Sequence, residues 1–338
     1  MSNKAAWLTA AKAKPLKVDS AEFPKAGPNE VVIKNHAVAV NPIDWKIQEM
    51  GIFLKKYPNI TGTDVAGEVH EVGQGVTHVK KGDRVIGHCF SLLSNNPSNG
   101  GFQLYTSCNA LVVAKIPSSL SYANAAVFPL SISTAATCLF KKETLALPLS
   151  LSTTPSDTGK SVLVWGGSSS VGASAIQLAV AAGVKVVSVA GKHNIQKVKD
   201  LGASAVFDHS SPTVIDDIVS ALEGTEYQGV CDCIGIPPAV HGWTPVYKKL
   251  GGRYGSVMPE VKGLPEGIEG GSVFAPTVAL SDRYVGEAVW GKYIPEALEK
   301  GIFKGPELTV IEGGLEKVQE GLDKLKKGIS FGKVVITL

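Results

Sequence analysis

The pattern of apolar and polar residues changes at about residue 120, and the two parts of the chain predict different structures. Up to Pro117, short apolar runs alternate with turn-forming Gly-Asp and Pro-Asn pairs; examples are the β-branched run 30–40, the alternating run 65–72 and the short apolar run 83–87. Short strands separated by turns are typical of an antiparallel or barrel-like module. The polar stretch 94–101 predicts a loop on composition alone.

The second part alternates between helical and strand-like segments. Residues 121–140 are rich in alanine and predict a helix, with Pro129 at a helix start or at a kink. Strands are predicted at 161–167, 185–190, 205–208, 230–234 and 253–258, and helices at 171–182, 194–201 and 213–222. This alternation predicts a parallel sheet with helices on both faces. The tail predicts a helix at 314–327 and a final strand at 333–338.

A glycine-rich turn follows the first strand of the alternating part. The strand ends at Trp165 and continues into Gly166-Gly167-Ser168-Ser169-Ser170-Val171-Gly172 and an apolar helix. In a dinucleotide fold, such a turn lets the backbone approach a pyrophosphate, and the helix N-terminus offers free N–H groups to it. Gly167 and Gly172 match the first and third glycines of G-x-G-x-x-G, but Ser169 stands in place of the second. We predict that residues 167–172 bind a cofactor; a purely structural turn is the alternative.

The end of the second strand distinguishes NADP from NAD. NAD sites place an acid about 20 residues beyond the glycines, where it binds the ribose 2′-hydroxyl. Here the strand continues into Gly191-Lys192-His193-Asn194, and no acid occurs before Asp200. Lys192 is suited to neutralise a 2′-phosphate, Gly191 leaves room for it, and His193, Asn194 and His209 could add hydrogen bonds. The sequence therefore predicts NADPH as the cofactor, with a solvated turn lysine as the alternative for Lys192.

Composition and charge argue against several other classes of protein. The length of 338 residues suggests two domains, and 33 basic against 30 acidic residues give a net charge of +3. This charge predicts no nucleic-acid or membrane partner. The most apolar stretch, 171–191, is interrupted by Gly183 and Lys185 and predicts a buried helix and strand. Residues 1–16 show no secretory signal, and five irregularly spaced cysteines favour a cytoplasmic protein without disulfides.

Several motifs occur in the order found in the medium-chain dehydrogenase/reductase superfamily. They are Asn41-Pro42-Ile43-Asp44, residues 62–69, Gly82-Asp83-Arg84-Val85, residues 129–134, the glycine-rich turn and Gly332-Lys333-Val334-Val335. The chain resembles this superfamily over essentially its whole length. The resemblance implies an α/β fold in which a Rossmann domain with a doubly wound parallel sheet, residues 129–274, is inserted into a split, β-rich, GroES-like catalytic domain, residues 1–128 and 275–338.

The same resemblance leads us to expect no metal. Alcohol dehydrogenases of the superfamily hold catalytic zinc with a cysteine and with a histidine followed by a glutamate. At these places the chain has Asn41, Thr63 and Asp64. An amide and a hydroxyl are poor zinc ligands. Cys89 and Cys108 are isolated in the sequence, and the polar loop 94–101 replaces the lobe that binds structural zinc.

The chain is most similar to the zinc-free quinone-oxidoreductase and enoyl-reductase branch, which includes the fungal trans-acting enoyl reductases that serve polyketide synthases. It shares with that branch Asn41-Pro42-x-Asp44-x-Lys46, Ile132-Ser133-Thr134-Ala135 and the His193-Asn194 pair. The resemblance implies NADPH-dependent hydride transfer to an activated C=C bond of a small-molecule or carrier-bound unsaturated carbonyl compound. Quinone reduction and a non-catalytic, cofactor-gated binding protein are the alternatives.

Two residues are candidates for the chemistry itself. Lys46 is the candidate cationic donor near the substrate oxygen or the cofactor ribose, with a surface lysine as the alternative, and the resemblance places Thr134 near the nicotinamide. Tyr57 and Tyr254 are weaker candidates for a proton donor. The remaining predicted cofactor contacts are Asp44, Ile234, Gly235, Val257, Phe274, Gly332 and Lys333. The sequence does not distinguish a monomer from a homodimer.

Overall fold

The computed structural model describes residues 2–338, and these divide into two units. Unit 1 comprises the chain up to Leu130 together with Gly305–Leu338, and unit 2 is Ser131–Lys304. Unit 1 is rich in antiparallel strands and unit 2 has a parallel sheet with helices. The predicted α/β class, with a Rossmann sheet inserted into a split β-rich domain, is therefore confirmed.

Sixteen strands and eleven α-helices occur within residues 2–338. The strands are β1 (Asn3–Leu8), β2 (Lys17–Ala21), β3 (Glu30–Val40), β4 (Asn59–Ile60), β5 (Asp64–Val72), β6 (Arg84–His88), β7 (Tyr105–Asn109), β8 (Val113–Lys115), β9 (Lys160–Trp165), β10 (Lys185–Ala190), β11 (Ala205–Asp208), β12 (Glu226–Asp232), β13 (Arg253–Ser256), β14 (Gly270–Ser272), β15 (Glu307–Ile311) and β16 (Gly332–Thr337). The helices are α1 (Pro42–Met50), α2 (Ser91–Ser94), α3 (Tyr122–Ala125), α4 (Pro129–Phe140), α5 (Ser170–Ala181), α6 (Ile195–Lys199), α7 (Val214–Leu222), α8 (Pro237–Leu250), α9 (Arg283–Ala288), α10 (Ile294–Glu299) and α11 (Val318–Lys326).

The central strand of unit 1 is β3, the β-branched run of residues 30–40. It pairs with β5, β7 and β16, all antiparallel, in a seven-stranded sheet. Its inward side chains, such as Ile33 and Val38, are fully buried in the core of this unit. Because α1 begins directly after β3 and β5 lies beside it, the sequence motifs around residues 41 and 63 are brought to one end of this sheet.

Unit 2 contains a six-stranded sheet in which every neighbouring pair is parallel. The strand order is β11-β10-β9-β12-β13-β14. The chain moves outward from β9 to β11 on one side and from β12 to β14 on the other, so the order reverses between β9 and β12. Ligands of such sheets bind outside the carboxyl ends of the strands at this reversal. The carboxyl ends of β9, β10 and β12 are therefore the part of unit 2 in which a site is expected.

The predicted helix at residues 121–140 is two helices, α3 and α4. Pro129 is the first residue of α4, where a missing N–H removes no intrahelical hydrogen bond. The stretch Tyr122–Phe140 has the length and apolarity of a membrane span, but 83% of its most apolar window is buried inside the protein. Such burial is typical of a core helix.

The second domain boundary requires a correction, because the chain divides after Lys304 and not after residue 274. The segment between these positions packs within unit 2. The fully buried side chain of Trp290 donates a hydrogen bond from Nε1 to Ser133 Oγ (3.0 Å), and the Tyr284 hydroxyl donates to the Phe140 carbonyl (3.4 Å). These contacts join residues far apart in the chain, which explains why the sequence pattern did not indicate them.

Candidate functional site

The turn between β9 and α5 is shaped by close backbone packing. Gly166 has φ of +87°, in the left-handed region that favours glycine. A Cβ atom on Gly167 would lie 2.2 Å from Ser188 Oγ, and one on Gly172 would lie 2.3 Å from the Gly166 carbonyl oxygen. Both glycines are therefore required for the turn to pack on β10 and for α5 to begin close to the end of β9. This is the cradle that a dinucleotide pyrophosphate requires.

Ser169, which stands in the place of the second glycine of the motif, caps the helix. Its hydroxyl oxygen accepts a hydrogen bond from the Gly172 N–H (3.0 Å) at the N-terminus of α5. Ser168 precedes the cap in the turn, Ser170 and Val171 form the first residues of α5, and all three are half-buried. N–H groups in a first helical turn have no intrahelical acceptor, so they can bind an anion. Ser169 therefore caps one N–H group of α5, and the other N–H groups of the first turn can still bind an anion.

The end of β10 carries the residues predicted to recognise a 2′-phosphate. A short 3-10 helix, Lys192–Asn194, follows the strand, with the Asn194 N–H donating to the Gly191 carbonyl (2.8 Å). Lys192 and His193 are exposed, whereas the Asn194 side chain is buried. His209 follows the neighbouring strand β11, and its N–H donates to the Ala190 carbonyl (3.2 Å). The structure therefore brings all five of these predicted residues to the carboxyl ends of two adjacent strands.

An acidic residue near this position is held by its own turn. Asp208 ends β11, and its carboxylate accepts hydrogen bonds from the Ser210 N–H (3.0 Å) and hydroxyl (2.8 Å). These bonds, with a smaller contribution from the nearby charge of Lys192, keep the pKa of Asp208 below its usual range. NAD-binding proteins have their acid at the end of the strand that corresponds to β10. Asp208 lies one strand away, and its carboxylate already accepts hydrogen bonds from Ser210.

Asp232, at the end of β12, lies in the candidate site and was not predicted from the sequence. Its buried carboxylate accepts hydrogen bonds from the N–H groups of Ile234 (3.0 Å) and Gly235 (2.8 Å) and from Trp243 Nε1 (3.0 Å). These three bonds hold the turn that contains two predicted cofactor contacts. An acid that ends a buried strand just before a Gly-containing turn is the signal that could have identified it.

Apolar side chains lie at the ends of the next strands. The Ile234 side chain is 37% exposed after β12, and the Phe274 side chain is 44% exposed after β14. Val257, which follows β13, is half-buried. Since these strands are neighbours in the sheet, the predicted nicotinamide contacts lie along one edge, on the opposite side of β9 from Lys192. Their contact with a cofactor stays a prediction.

The two predicted catalytic residues lie in different units. Thr134 is on α4 and is 8% exposed, beside Ser133, which accepts the Trp290 hydrogen bond. Lys46 is on α1 of unit 1; it is half-buried, and its Nζ lies 5.8 Å from the centroid of the Trp45 ring. The role of each stays a prediction.

A closed polar network occupies the end of the sheet in unit 1. Asn41 Nδ2 donates to Thr63 Oγ1 (2.9 Å) and to Asp64 Oδ2 (2.7 Å). Lys333 Nζ lies 3.0 Å from Asp64 Oδ2 and donates to Asn41 Oδ1 (2.5 Å). The Lys333 side chain is only 2% exposed and that of Asp64 is fully buried. Polar groups buried this deeply must satisfy one another, and these four do so.

Asp44, predicted to contact the cofactor, is also buried in unit 1. One of its carboxylate oxygens accepts the Asn41 N–H (2.8 Å), and burial raises the pKa of Asp44 to about 7. Nearby, burial lowers the pKa of His88 to about 4, so its ring is neutral at neutral pH. Lys333 lies in the same region and Gly332 starts β16. The structure therefore engages Asp44 and Lys333 in contacts within unit 1, which the sequence did not suggest.

These residues do not fit a zinc ion. Among residues 2–338 no group of three or more His, Cys, Asp or Glu side chains could hold a metal. Cys89 and Cys108, isolated in the sequence, have sulfur atoms 3.5 Å apart, but they are buried and burial raises the pKa of Cys89 well above its usual value. Zinc needs three or four deprotonated ligands. The ammonium group of Lys333 already lies between Asn41 and Asp64, where a metal ion would have to bind.

Comparison with known proteins adds family relationships to this geometry. Residues 27–118 match the alcohol dehydrogenase GroES-like domain, and residues 170–251 match the zinc-binding dehydrogenase family. The chain is 47% identical over 339 residues to the trans-enoyl reductase himH of Aspergillus japonicus, covering 99% of this chain and 97% of that protein. It is 39% identical to the dehydrogenase orsE of Emericella nidulans, covering 100% and 99%. The crystal structure of CurK enoyl reductase matches with a TM-score of 0.75 at 18% identity, over 99% of both chains.

The cradle of the β9–α5 turn generates the first prediction. Gly172→Ala would place a Cβ atom 2.3 Å from the Gly166 carbonyl, a backbone contact that no side-chain rotation can relieve. Overpacking of this kind costs about 1–3 kcal/mol. We expect the affinity for NADPH, measured by fluorescence titration, to fall about tenfold or more.

Gly291→Ala is the matched control, because a Cβ atom there meets nothing within 4 Å and the residue lies in the same unit. Its NADPH affinity should equal that of the unmodified protein. Unchanged affinity of the Gly172→Ala variant would show that this turn does not hold the cofactor.

Proposed function

Since the chain belongs to the medium-chain dehydrogenase/reductase superfamily, we propose that it is an NADPH-dependent, zinc-independent reductase of activated C=C bonds. The superfamily membership confirms the resemblance carried by the sequence motifs, and with it an oxidoreductase activity. The proposed substrate is a small-molecule or carrier-bound compound in which the double bond is conjugated with a carbonyl group. The observation that carries the cofactor assignment is the segment after β10, where Lys192 is exposed and no acid occurs in the chain before Asp200, while the neighbouring Asp208 is bound by Ser210.

The residues of unit 2 fit a dinucleotide. The cradle of Gly167 and Gly172 would hold the pyrophosphate against the N-terminus of α5, and Lys192 would pair with the 2′-phosphate. The turn held by Asp232 would present Ile234 to the nicotinamide. NADPH, when bound, would supply the hydride. The protein's own contribution is to position the cofactor and to stabilise the charge that develops on the acceptor.

The donor set of unit 1 supports the proposed acceptor. Asn41, Thr63 and Asp64 satisfy one another and Lys333, so they offer no zinc site to polarise an alcohol or a simple ketone. A C=C bond conjugated with a carbonyl group is already activated. The negative charge that develops when hydride is added moves to the carbonyl oxygen, which one hydrogen-bond donor can stabilise. The names of himH and CurK, both enoyl reductases, support the same acceptor class. We assign the donor role to Lys46.

An acceptor panel tests this proposal. NADPH oxidation should be measured with an enone, an enoyl thioester and a quinone, and NADP⁺ reduction with an alcohol, each with and without a chelator. The proposal expects turnover of the enone or enoyl compound that a chelator does not affect. Turnover of the quinone alone would instead identify a quinone reductase. Alcohol oxidation that the chelator abolishes would overturn the proposal, and NADPH binding without any turnover would favour a binding protein.

Cofactor preference supplies a second prediction. Lys192→Ala should weaken NADPH binding about tenfold or more, because a charge-assisted contact to phosphate contributes about 1.5–3 kcal/mol. NADH has no 2′-phosphate, so its dissociation constant should hardly change. Lys199→Ala, which removes an exposed lysine from α6, is the control and should affect neither cofactor. Equal losses for NADPH and NADH in the Lys192 variant would refute the assignment.

A third prediction concerns Lys46. If its ammonium group stabilises the developing enolate, Lys46→Ala should lower kcat about 10²-fold at saturating NADPH, the loss seen when one oxyanion donor is removed. The KM of the acceptor should change little, because the interaction strengthens only in the transition state. A loss of NADPH affinity with an unchanged kcat would place Lys46 at the cofactor ribose. If kcat and NADPH affinity are both unchanged, Lys46 is a surface lysine.

A further inference from the structure

Lys333 places a full positive charge in the interior of unit 1. Its ammonium group contacts Asp64, at the start of β5, and Asn41, which precedes α1, while Lys333 itself lies on β16. We propose that Lys333 is a positioning residue whose ammonium serves as an internal cation in place of a metal ion and fixes the first turn of α1. Because α1 carries Lys46, this inference deepens the proposed function. Only the effect on Lys46 rests on the proposed function; the role of Lys333 as an internal cation does not.

The network has one consistent arrangement of donors and acceptors. Lysine can only donate, so it must face the carbonyl oxygen of the Asn41 amide, and the amide NH₂ must then face Thr63 and Asp64. The second carboxylate oxygen of Asp64 accepts the Leu130 N–H (2.6 Å). Every polar atom of the Asn41 side chain and both oxygens of Asp64 are thereby used. The charge of the lysine sets the orientation of the whole network.

A single ammonium ion suits this place better than a divalent ion. The fully buried carboxylate of Asp64 carries one negative charge, which one ammonium balances. The remaining groups, an amide and a hydroxyl, are neutral and weak metal ligands. A divalent ion would lie beside the lysine charge and be repelled by it. The lysine and a metal ion therefore exclude one another here.

The network determines where α1 begins. Asn41 is the N-cap residue of α1, with its backbone N–H bound by Asp44 and its side chain bound by Lys333 and Asp64. The other end of the helix is held differently, by a partly exposed ion pair between Glu49 and Lys326 (2.6 Å). Exposed ion pairs contribute little to stability, whereas loss of one member of a buried pair is costly. The buried network is therefore the stronger constraint on the helix.

Lys333→Met removes the charge and keeps most of the side-chain volume. Asp64 would then be buried without a cation, and we expect the midpoint of thermal unfolding to fall by about 10 °C. Lys326→Met is the matched control. Lys326 lies on α11, and the change removes its partly exposed ion pair with Glu49 on α1. Its midpoint should change by less than about 2 °C. Equal changes in the two variants would contradict the inference.

The double variant Lys333→Met/Asp64→Asn separates charge from packing. The asparagine carbonyl can still accept the Leu130 N–H, and the Asn41 amide, no longer held by Lys333, can turn so that its oxygen accepts from the new NH₂ group. Because no uncompensated charge remains, a large part of the lost thermal stability should return. If the lysine only fills space, the double variant will be no more stable than the single one. Should Lys333→Met fail to fold, a folded double variant supports the inference and a double variant that also fails to fold overturns it.

Catalysis tests whether the effect passes through α1. In the Lys333→Met/Asp64→Asn variant we expect kcat to fall roughly tenfold at saturating NADPH, because small displacements of a catalytic group are costly. Adding Lys46→Ala should then cost less than it does in the unmodified protein, since both changes act on one group. Fully additive losses, or an unchanged kcat in the double variant, would contradict a positioning role.

Zinc uptake gives a readout that needs no enzyme activity. After dialysis against zinc chloride and removal of free metal, the unmodified protein should contain no stoichiometric zinc. About one zinc ion per chain would overturn the inference that the lysine takes the place of a metal. Failure of the reductase proposal alone would leave the stability and zinc results as predicted, so the two failures are distinguishable.

Discussion

The close approach of α5 to the carboxyl end of β9 is the constraint on which the candidate cofactor site depends. A side chain at Gly172 would collide with the Gly166 carbonyl, and one at Gly167 would collide with Ser188 on β10. Only glycine at both positions lets the helix start beside the strand ends. Once this packing is made, the parallel sheet brings Lys192 to one side of β9 and the turn held by Asp232 to the other.

Much of the fold could be predicted because its strands bury continuous apolar runs. Strands β3 and β10 have the predicted bounds, since β-branched residues stop abruptly at turn-forming neighbours. Helix α8 was missed because it contains Gly242 and Pro245, which are poor helix formers; it is held by the buried side chains of Val240 and Trp243. The domain boundary at residue 274 was wrong because the burial of Trp290 depends on a contact with Ser133, far away in the chain.

The candidate site was predictable where the constraint is local. The glycine turn and the lysine after β10 are visible in the sequence, because backbone crowding and the lack of an acid are properties of neighbouring residues. Lys333 was predicted as a cofactor contact, but it is buried in unit 1 against Asn41, 292 residues away in the chain. A sequence does not reveal which lysine will balance a buried carboxylate, since that depends on the completed sheet. Asp232 was missed for a similar reason, because one of its donors, Trp243, lies on α8.

We propose that this chain moves a hydride from NADPH to the β-carbon of a conjugated double bond. The most direct measurement uses NADPH that carries deuterium at the transferable position, with an enone or enoyl thioester as the acceptor. Mass spectrometry and NMR of the product would locate the label. Hydride transfer to the conjugated bond would give a saturated carbonyl compound with one deuterium on the β-carbon. Deuterium on the former carbonyl carbon of an alcohol product would contradict it.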